Sequence, residues 1–393
     1  MRLARTAASL FAVTVLSAVT ACSPPPSQPP AEPQPQGHAG HSGRASVPPP
    51  EPLRDGERFL ELGMPRPFTP APRRGTDEYR CFLIDPGFSE RAFITGSQFL
   101  PGNATIVHHA IFFRLPPGDV AEARQLDAKT DGDGWTCFGG TGIRAGQPLL
   151  QTNGDSAAWI GAWAPGGDEV ILADGIGYEM AAGSHIVMQV HYNLLSAEGA
   201  DQSGIRLRLK GAGARLKPLQ TKLLAAPVEL PCAPGESGRL CAREQAISDV
   251  KARFGAQAGM AVSALSLLCG GGEPKPGPVQ SCYSPVRDAG LVHAVAGHMH
   301  LLGRSIKVEL NPGTPKAKIL LEVPVYNFDD QGARPLPQPV AVKPGDTMRV
   351  TCTHDAALRK MLPALRSSEP RYVVWGEGTA DEMCLGIISW TRA

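Results

Sequence analysis

No two of the nine cysteines stand at CxxC spacing, so a dithiol redox motif, a zinc ribbon and a CxxCH haem attachment are all excluded. Charge of neither sign is in excess, with 38 Lys and Arg against 37 Asp and Glu. Neither a nucleic-acid surface nor an acidic face for a cationic partner is expected. Aromatic residues are scarce, at 6%, and neither long helical periodicities nor repeats of solenoid length are visible. The apolar, uncharged run from Thr6 to Ala21 falls short of the ~20 residues that a bilayer-spanning helix needs.

That run follows Arg2 and Arg5 and ends in Val19-Thr20-Ala21-Cys22-Ser23, which resembles the lipobox of bacterial lipoproteins. The resemblance implies a signal peptide over residues 1–21 and a lipid on Cys22, with the mature chain anchored to the bacterial cell envelope and facing the periplasm or the outside. Residues 22–54 are rich in Pro, Ser, Gln and Gly and read as a disordered tether, in which His38 and His41 are solvated. Removing Cys22 leaves Cys81, Cys137, Cys232, Cys241, Cys269, Cys282, Cys352 and Cys384, an even set suited to disulfides in an oxidising compartment.

Beyond the tether, runs of strand length with β-branched or aromatic content recur between Gly and Pro turns: Thr105–Leu115, His185–Leu194, Ser305–Leu310, Lys318–Val325, Thr347–Thr353 and Tyr372–Gly376. The pattern predicts an all-β protein of two sandwich domains, 55–215 and 216–393, divided near Leu209 to Pro218. Ala246, Val250 and Phe254 recur at helical spacing, so Arg243 to Phe254 is expected as a small helical insertion in the second domain, with Gly255 as its stop.

Metal-ligand side chains cluster in four places: His108-His109, Gln189 with His191, His298-Met299-His300, and Met383. On a strand, His191 and Gln189 share one face, opposite Met188, Val190 and Tyr192. His298 and His300 likewise share a face, which sends Met299 to the core. The adjacent His108 and His109 reach one ion only if the strand bulges there. Three imidazoles in the first half and two imidazoles with a thioether in the second point to two metal sites. Soft sulfur beside imidazole points to copper.

At these residues the chain resembles the type II copper, ascorbate-dependent monooxygenases. The matching segments are VHHAIFF at 107–113, GAWAPGG at 161–167, MQVHYNL at 188–194, GHMHLLGR at 297–304 and DEMCLGII at 381–388, spread from Tyr79 to Trp390. The resemblance implies two jelly-roll-type sandwiches, each holding one copper, with an open cleft between them. His108, His109 and His191 match the ligands of the electron-transferring copper. His298, His300 and Met383 match those of the oxygen-binding copper, and Gln189 matches a glutamine near the path between the two. It further implies O₂ as co-substrate, ascorbate or an equivalent one-electron reductant, a small-molecule substrate and a monomeric enzyme that inserts one oxygen atom into a C–H bond. Cys352 and Cys384 match a disulfide of the family; the pairs Cys81–Cys137, Cys232–Cys241 and Cys269–Cys282 follow from proximity and the same resemblance.

Three polar residues that bind substrate in the peptide-acting members are replaced here by Ala296, Leu385 and Ile387, which points to a less polar or aromatic small molecule. A non-catalytic copper-storage lipoprotein would keep the same ligands. Zinc hydrolysis is disfavoured, because no general base accompanies the histidines and a methionine has no place in that chemistry.

Overall fold

The computed structural model describes residues 47–130, 133–143, 159–164, 167–195, 197–328 and 330–393. The expected signal peptide, Cys22, His38 and His41 lie outside these residues.

The N-terminal half runs through β1 (Arg58–Gly63), β2 (Asp77–Ile84), β3 (Ala92–Leu100), β4 (Val107–Leu115), α1 (Val120–Ala128), β5 (Trp135–Thr136), β6 (Trp159–Trp163), β7 (Val170–Ile171), β8 (Ile176–Met180), β9 (His185–Asn193) and β10 (Gly204–Lys210). Two sheets result: β1-β10-β3-β8, with β7 paired to β3, and β5-β2-β9-β4-β6. The core between them takes Phe82 from β2, Ile94 from β3, Phe112 from β4, Met188 and Val190 from β9 and Leu207 from β10. The outer face of the second sheet carries a smaller cluster around Trp135, Val187 and the Cys81–Cys137 disulfide.

The C-terminal half continues with β11 (Lys217–Ala225), β12 (Glu229–Leu230), α2 (Arg243–Phe254), α3 (Ala256–Gly270), β13 (Val279–Pro285), β14 (Gly290–His298), β15 (Gly303–Leu310), β16 (Lys318–Val323), β17 (Arg334–Val342), β18 (Thr347–His354), α4 (Leu358–Met361), β19 (Val373–Val374) and β20 (Leu385–Arg392). Its sheets are β11-β20-β14-β17, β13-β18-β15-β16 and the two-stranded β12-β19. Leu224, Val292, Val295 and Ile388 from one sheet meet Ile306, Val308, Met348 and Val350 from the other, and α2 adds Ile247 and Val250. Each such side chain contributes about 1.5–3 kcal/mol of transfer free energy, so the inter-sheet cores rather than strand propensity hold both halves.

The architecture is all-β, as expected, with mostly antiparallel sheets. An exception joins the halves: β8 pairs in parallel with β11 at Ile176↔Lys217 and Gly177↔Pro218, so one sheet runs on from the N-terminal half into the C-terminal half.

The helix over Arg243–Phe254 forms with the expected bounds, and Gly255 at φ 87° ends it. The chain then starts α3 at once, a helix the periodicity did not reveal, because its Leu, Val, Met and Ala residues surround it instead of lining one face. Met260, Leu267 and Leu268 of α3 are exposed while Val262 and Leu265 are buried. The strand expected over Tyr372–Gly376 shrinks to Val373–Val374, because the chain turns at Gly376, whose N–H donates to Glu382 O at 3.1 Å. Among the described residues no helix is long and apolar enough to cross a membrane.

All four expected disulfides form: Cys81–Cys137, Cys232–Cys241, Cys269–Cys282 and Cys352–Cys384.

Candidate metal centre

β9 lies between β2 and β4, and this placement assembles the first histidine group. The β4–β9 register pairs Val107 with Tyr192 and then His109 with His191, which leaves His108 as the extra residue of a bulge. The bulge that two adjacent ligands require is therefore present. The Nδ1 atoms of His108, His109 and His191 form a triangle, 3.3 Å, 3.0 Å and 3.4 Å on its sides. Three nitrogens each ~2.0 Å from one ion stand about 3.3–3.5 Å apart in tetrahedral or trigonal geometry, so the set fits a single metal.

Asp77 on β2 sets the tautomer of His191. Its Oδ1 accepts the Nε2 proton of His191 at 2.9 Å, which leaves the Nδ1 lone pair facing the other two rings. The same Oδ1 accepts from Asn193 Nδ2 at 3.0 Å and from Thr379 Oγ1 at 2.7 Å. Burial works to raise the Asp77 carboxyl, but the hydrogen bonds from His191, Thr379 and Asn193 outweigh it and hold the group down to about 2. Burial in turn lowers His191, so the pair consists of an ionised carboxylate and a neutral imidazole. Tyr79 stacks on His191 at 4.0 Å, and its hydroxyl donates to Glu377 O at 2.6 Å.

The second group sits where β14 ends. His298 is its last residue and His300 lies just beyond, so the two histidines straddle the strand end instead of occupying its middle. Their rings are nonetheless 5.2 Å apart, and Met299 between them is fully buried in the core. Here Nδ1 is the engaged nitrogen of both rings. His298 Nδ1 donates to Gln331 Oε1 at 2.6 Å and His300 Nδ1 to Asp381 O at 3.1 Å, which leaves each Nε2 as the available lone pair.

Met383 leads into β20 and is braced from two sides. Cys384 beside it is bonded to Cys352 of β18. Glu382 before it is fully buried and accepts from His300 N at 2.8 Å, Leu302 N at 2.5 Å and Met383 N at 3.2 Å. One carboxylate thus holds the His300 and Met383 segments together. Gly376 closes this loop against Asp381, where a Cβ would come within 2.8 Å of the Asp381 side chain.

The two groups adjoin. His109 and His298 stand 6.0 Å apart, ring to ring, instead of facing each other across an open cleft. Burial first, and then the neighbouring His191, His298 and His300, push His109 well below the usual imidazole range. Burial and His300 likewise bring His298 down to about 4. Neutral imidazoles near pH 7 are the form that binds metal.

Between the groups lies a cavity of ≈ 80 Å³ lined by His109, His298, Met383 and Gln189. Its remaining walls include Trp159, Trp375, Leu223, Leu385 and Ile387. Two of the three apolar replacements thus line it. Ala296, the third, is buried in β14 and does not. Gln189 turns its amide away, donating to Gly140 O at 2.9 Å beside the Cys81–Cys137 disulfide. Sequence reasoning missed Asp77, Tyr79, Gln331 and Glu377. Only the cross-strand register Tyr79↔His191 and Asp77↔Asn193 brings the first two to the site, and a strand alignment of β2 with β9 was the signal available.

Imidazoles with a thioether nearby are a donor set that suits a soft redox metal better than a hydrolytic one. Comparison narrows the class. Residues 280–392 match the family described as copper type II ascorbate-dependent monooxygenase, C-terminal domain. DBH-like monooxygenase protein 2 of Mus musculus is 29% identical over 102 residues, which is 26% of this chain and 15% of that relative. The family match is confined to the C-terminal half, and the chain spans only a small part of that relative's length. Among solved structures, an allantoicase aligns over 86% of this chain and 90% of its own at 11% identity, with a TM-score of 0.19. The major capsid protein P2 of bacteriophage PM2 aligns over 85% and 97% at 9% identity, with a TM-score of 0.29. Neither score carries an argument about fold or function.

Proposed function

We propose that this protein is a copper monooxygenase that hydroxylates a C–H bond of a small apolar molecule with O₂ and a one-electron reductant such as ascorbate. The observation that supports it best is the juxtaposition of the two groups: three converging Nδ1 atoms on one side of an apolar cavity, and His298 and Met383 on the other, with the His300 ring 5.2 Å behind His298. In this reading His108, His109 and His191 hold one copper, while His298, His300 and Met383 hold a second. Residues 55–215 and 216–393 act as one copper domain each.

Bound copper would supply the one-electron redox steps and the activation of O₂. The chain supplies the rest. Asp77 and Gln331 orient His191 and His298 by taking their outer protons. Glu382 and the Cys352–Cys384 bridge position Met383. Leu385, Ile387 and the tryptophans exclude water and receive an apolar substrate. The cavity is about half the ~150 Å³ that takes up benzene in an engineered protein core, so an aromatic substrate requires its walls to yield. The four disulfides support an oxidising compartment, consistent with lipid anchoring at Cys22 in a bacterial envelope and a monomeric chain.

The test is copper content of the full chain by elemental analysis, with His191→Ala and Met383→Ala alongside, followed by oxygen uptake. Two coppers, each variant weakening a different one, with reductant-dependent O₂ consumption that Met383→Ala abolishes, is the expected result. Two coppers without O₂ consumption would mean storage or delivery, and one copper or none in folded protein would end the two-site reading.

A further inference from the structure

The wall of the cavity between the two histidine groups carries a carboxyl that no donor among the described residues meets. Among the described residues on its wall, Gln189 gives its amide to Gly140 O, and Gln331 is taken up by His298 Nδ1 and Phe328 O. The Tyr79 hydroxyl donates to the Glu377 backbone. Glu377 is only 8% exposed, yet its carboxyl meets no hydrogen-bond donor and no cation among the described residues. The charge that acts on it is Asp381, of like sign. The Glu377 oxygens face the cavity rather than sealed protein, and a carboxyl in an apolar wall costs stability unless water or a ligand completes it.

We propose that Glu377 is the specificity-determining residue of this cavity, bonding the hydroxyl of a small alcohol or phenol whose apolar body lies against Trp159, Trp375, Leu223 and Ile387. This rests on the monooxygenase reading of the same site, and it names the substrate class. A neutral hydroxyl fits better than a protonated amine, because metal held at His109 and His298 on the wall would set positive charge directly against the cavity. Burial brings Glu377 up to about 7, and a hydroxyl, being both donor and acceptor, bonds either form of the carboxyl. An amine cation bonds only one.

The test uses three molecules of one shape, benzyl alcohol, ethylbenzene and benzylamine, added to the full chain with copper and after chelator stripping. Affinity is read by calorimetry and by fluorescence of the wall tryptophans. Benzyl alcohol is expected to bind at least about tenfold more tightly than ethylbenzene, from one hydrogen bond that otherwise goes unmade. Glu377→Leu should erase that ratio while ethylbenzene holds or gains affinity, and Glu377→Gln should keep part of it. Equal affinities in the unaltered protein, no measurable binding of benzyl alcohol, a ratio that survives in the leucine variant, or benzylamine as the tightest ligand would each overturn the assignment. Copper content and oxygen uptake of the same samples keep the two readings apart. Two coppers and O₂ consumption without an alcohol preference refute only the role of Glu377; the preference without O₂ consumption refutes the monooxygenase and leaves a ligand site.

Discussion

The two histidine groups are built with opposite nitrogens. In the N-terminal half Nδ1 of each ring faces the centre, and the outer Nε2 of His191 is held by a carboxylate. In the C-terminal half Nε2 is the available atom, and the outer Nδ1 atoms are held by neutral oxygens, the amide of Gln331 and the carbonyl of Asp381. A carboxylate behind an imidazole makes it a stronger donor, which suits a metal that must give up an electron. Neutral acceptors with a thioether favour the reduced ion. Two groups so close together are therefore backed by unlike partners, one charged and one neutral.

The buried carboxyls around them differ in the same way. Glu382 and Asp77 are each met by three donors, whereas Glu377 is met by none among the described residues. Removing each one tests what its partners are worth. Glu382→Ala should cost most, about 3–5 kcal/mol, because it strands buried backbone N–H groups of His300, Leu302 and Met383 together with His354. Urea unfolding of the copper-free protein measures it. Glu377→Gln should do the reverse. Its folded value of about 7 lies above the 4.5 of an unfolded glutamate, so the stability this group contributes is complete below pH 4.5 and is lost as pH rises through 7. The glutamine variant should match the unaltered protein at pH 4 and exceed it at pH 8, by up to about 3 kcal/mol. A melting-temperature difference that does not change over that interval would refute the effect.

Asp77→Asn should come next, lowering copper affinity of the three-histidine group by ~10- to 100-fold while the second group keeps its metal. Competition with a Cu(I) chelator reads both sites. Gln331→Leu is the smallest change, since a neutral amide does less for His298 than a carboxylate does for His191. A loss of under about tenfold at the second group alone is expected. If the two losses came out equal, the contrast between charged and neutral support would not hold.

Much of this was legible in the chain. Two adjacent histidines demanded a bulge, and His108 is the bulged residue. The alternation in β9 placed Gln189 and His191 opposite Met188, Val190 and Tyr192, and the latter three lie in the inter-sheet core. Helix α2 could be read because its buried residues lie on one face and a glycine follows; α3, apolar on all sides, gave no such phase. Asp77, Gln331 and Glu377 could not be read, because what makes them neighbours of the ligands is strand pairing and loop closure over long separations in sequence. A lone carboxylate or amide carries no spacing signal of its own.

The bulge at His108 has a consequence for how this site can be altered. Its geometry depends on a count as well as on identities: one residue more on β4 than on β9 over the paired stretch. Deleting a residue beside the histidines would restore an unbroken ladder with both still in the chain, yet the two would turn to opposite faces. No point substitution could bring them back together, and only a compensating insertion would.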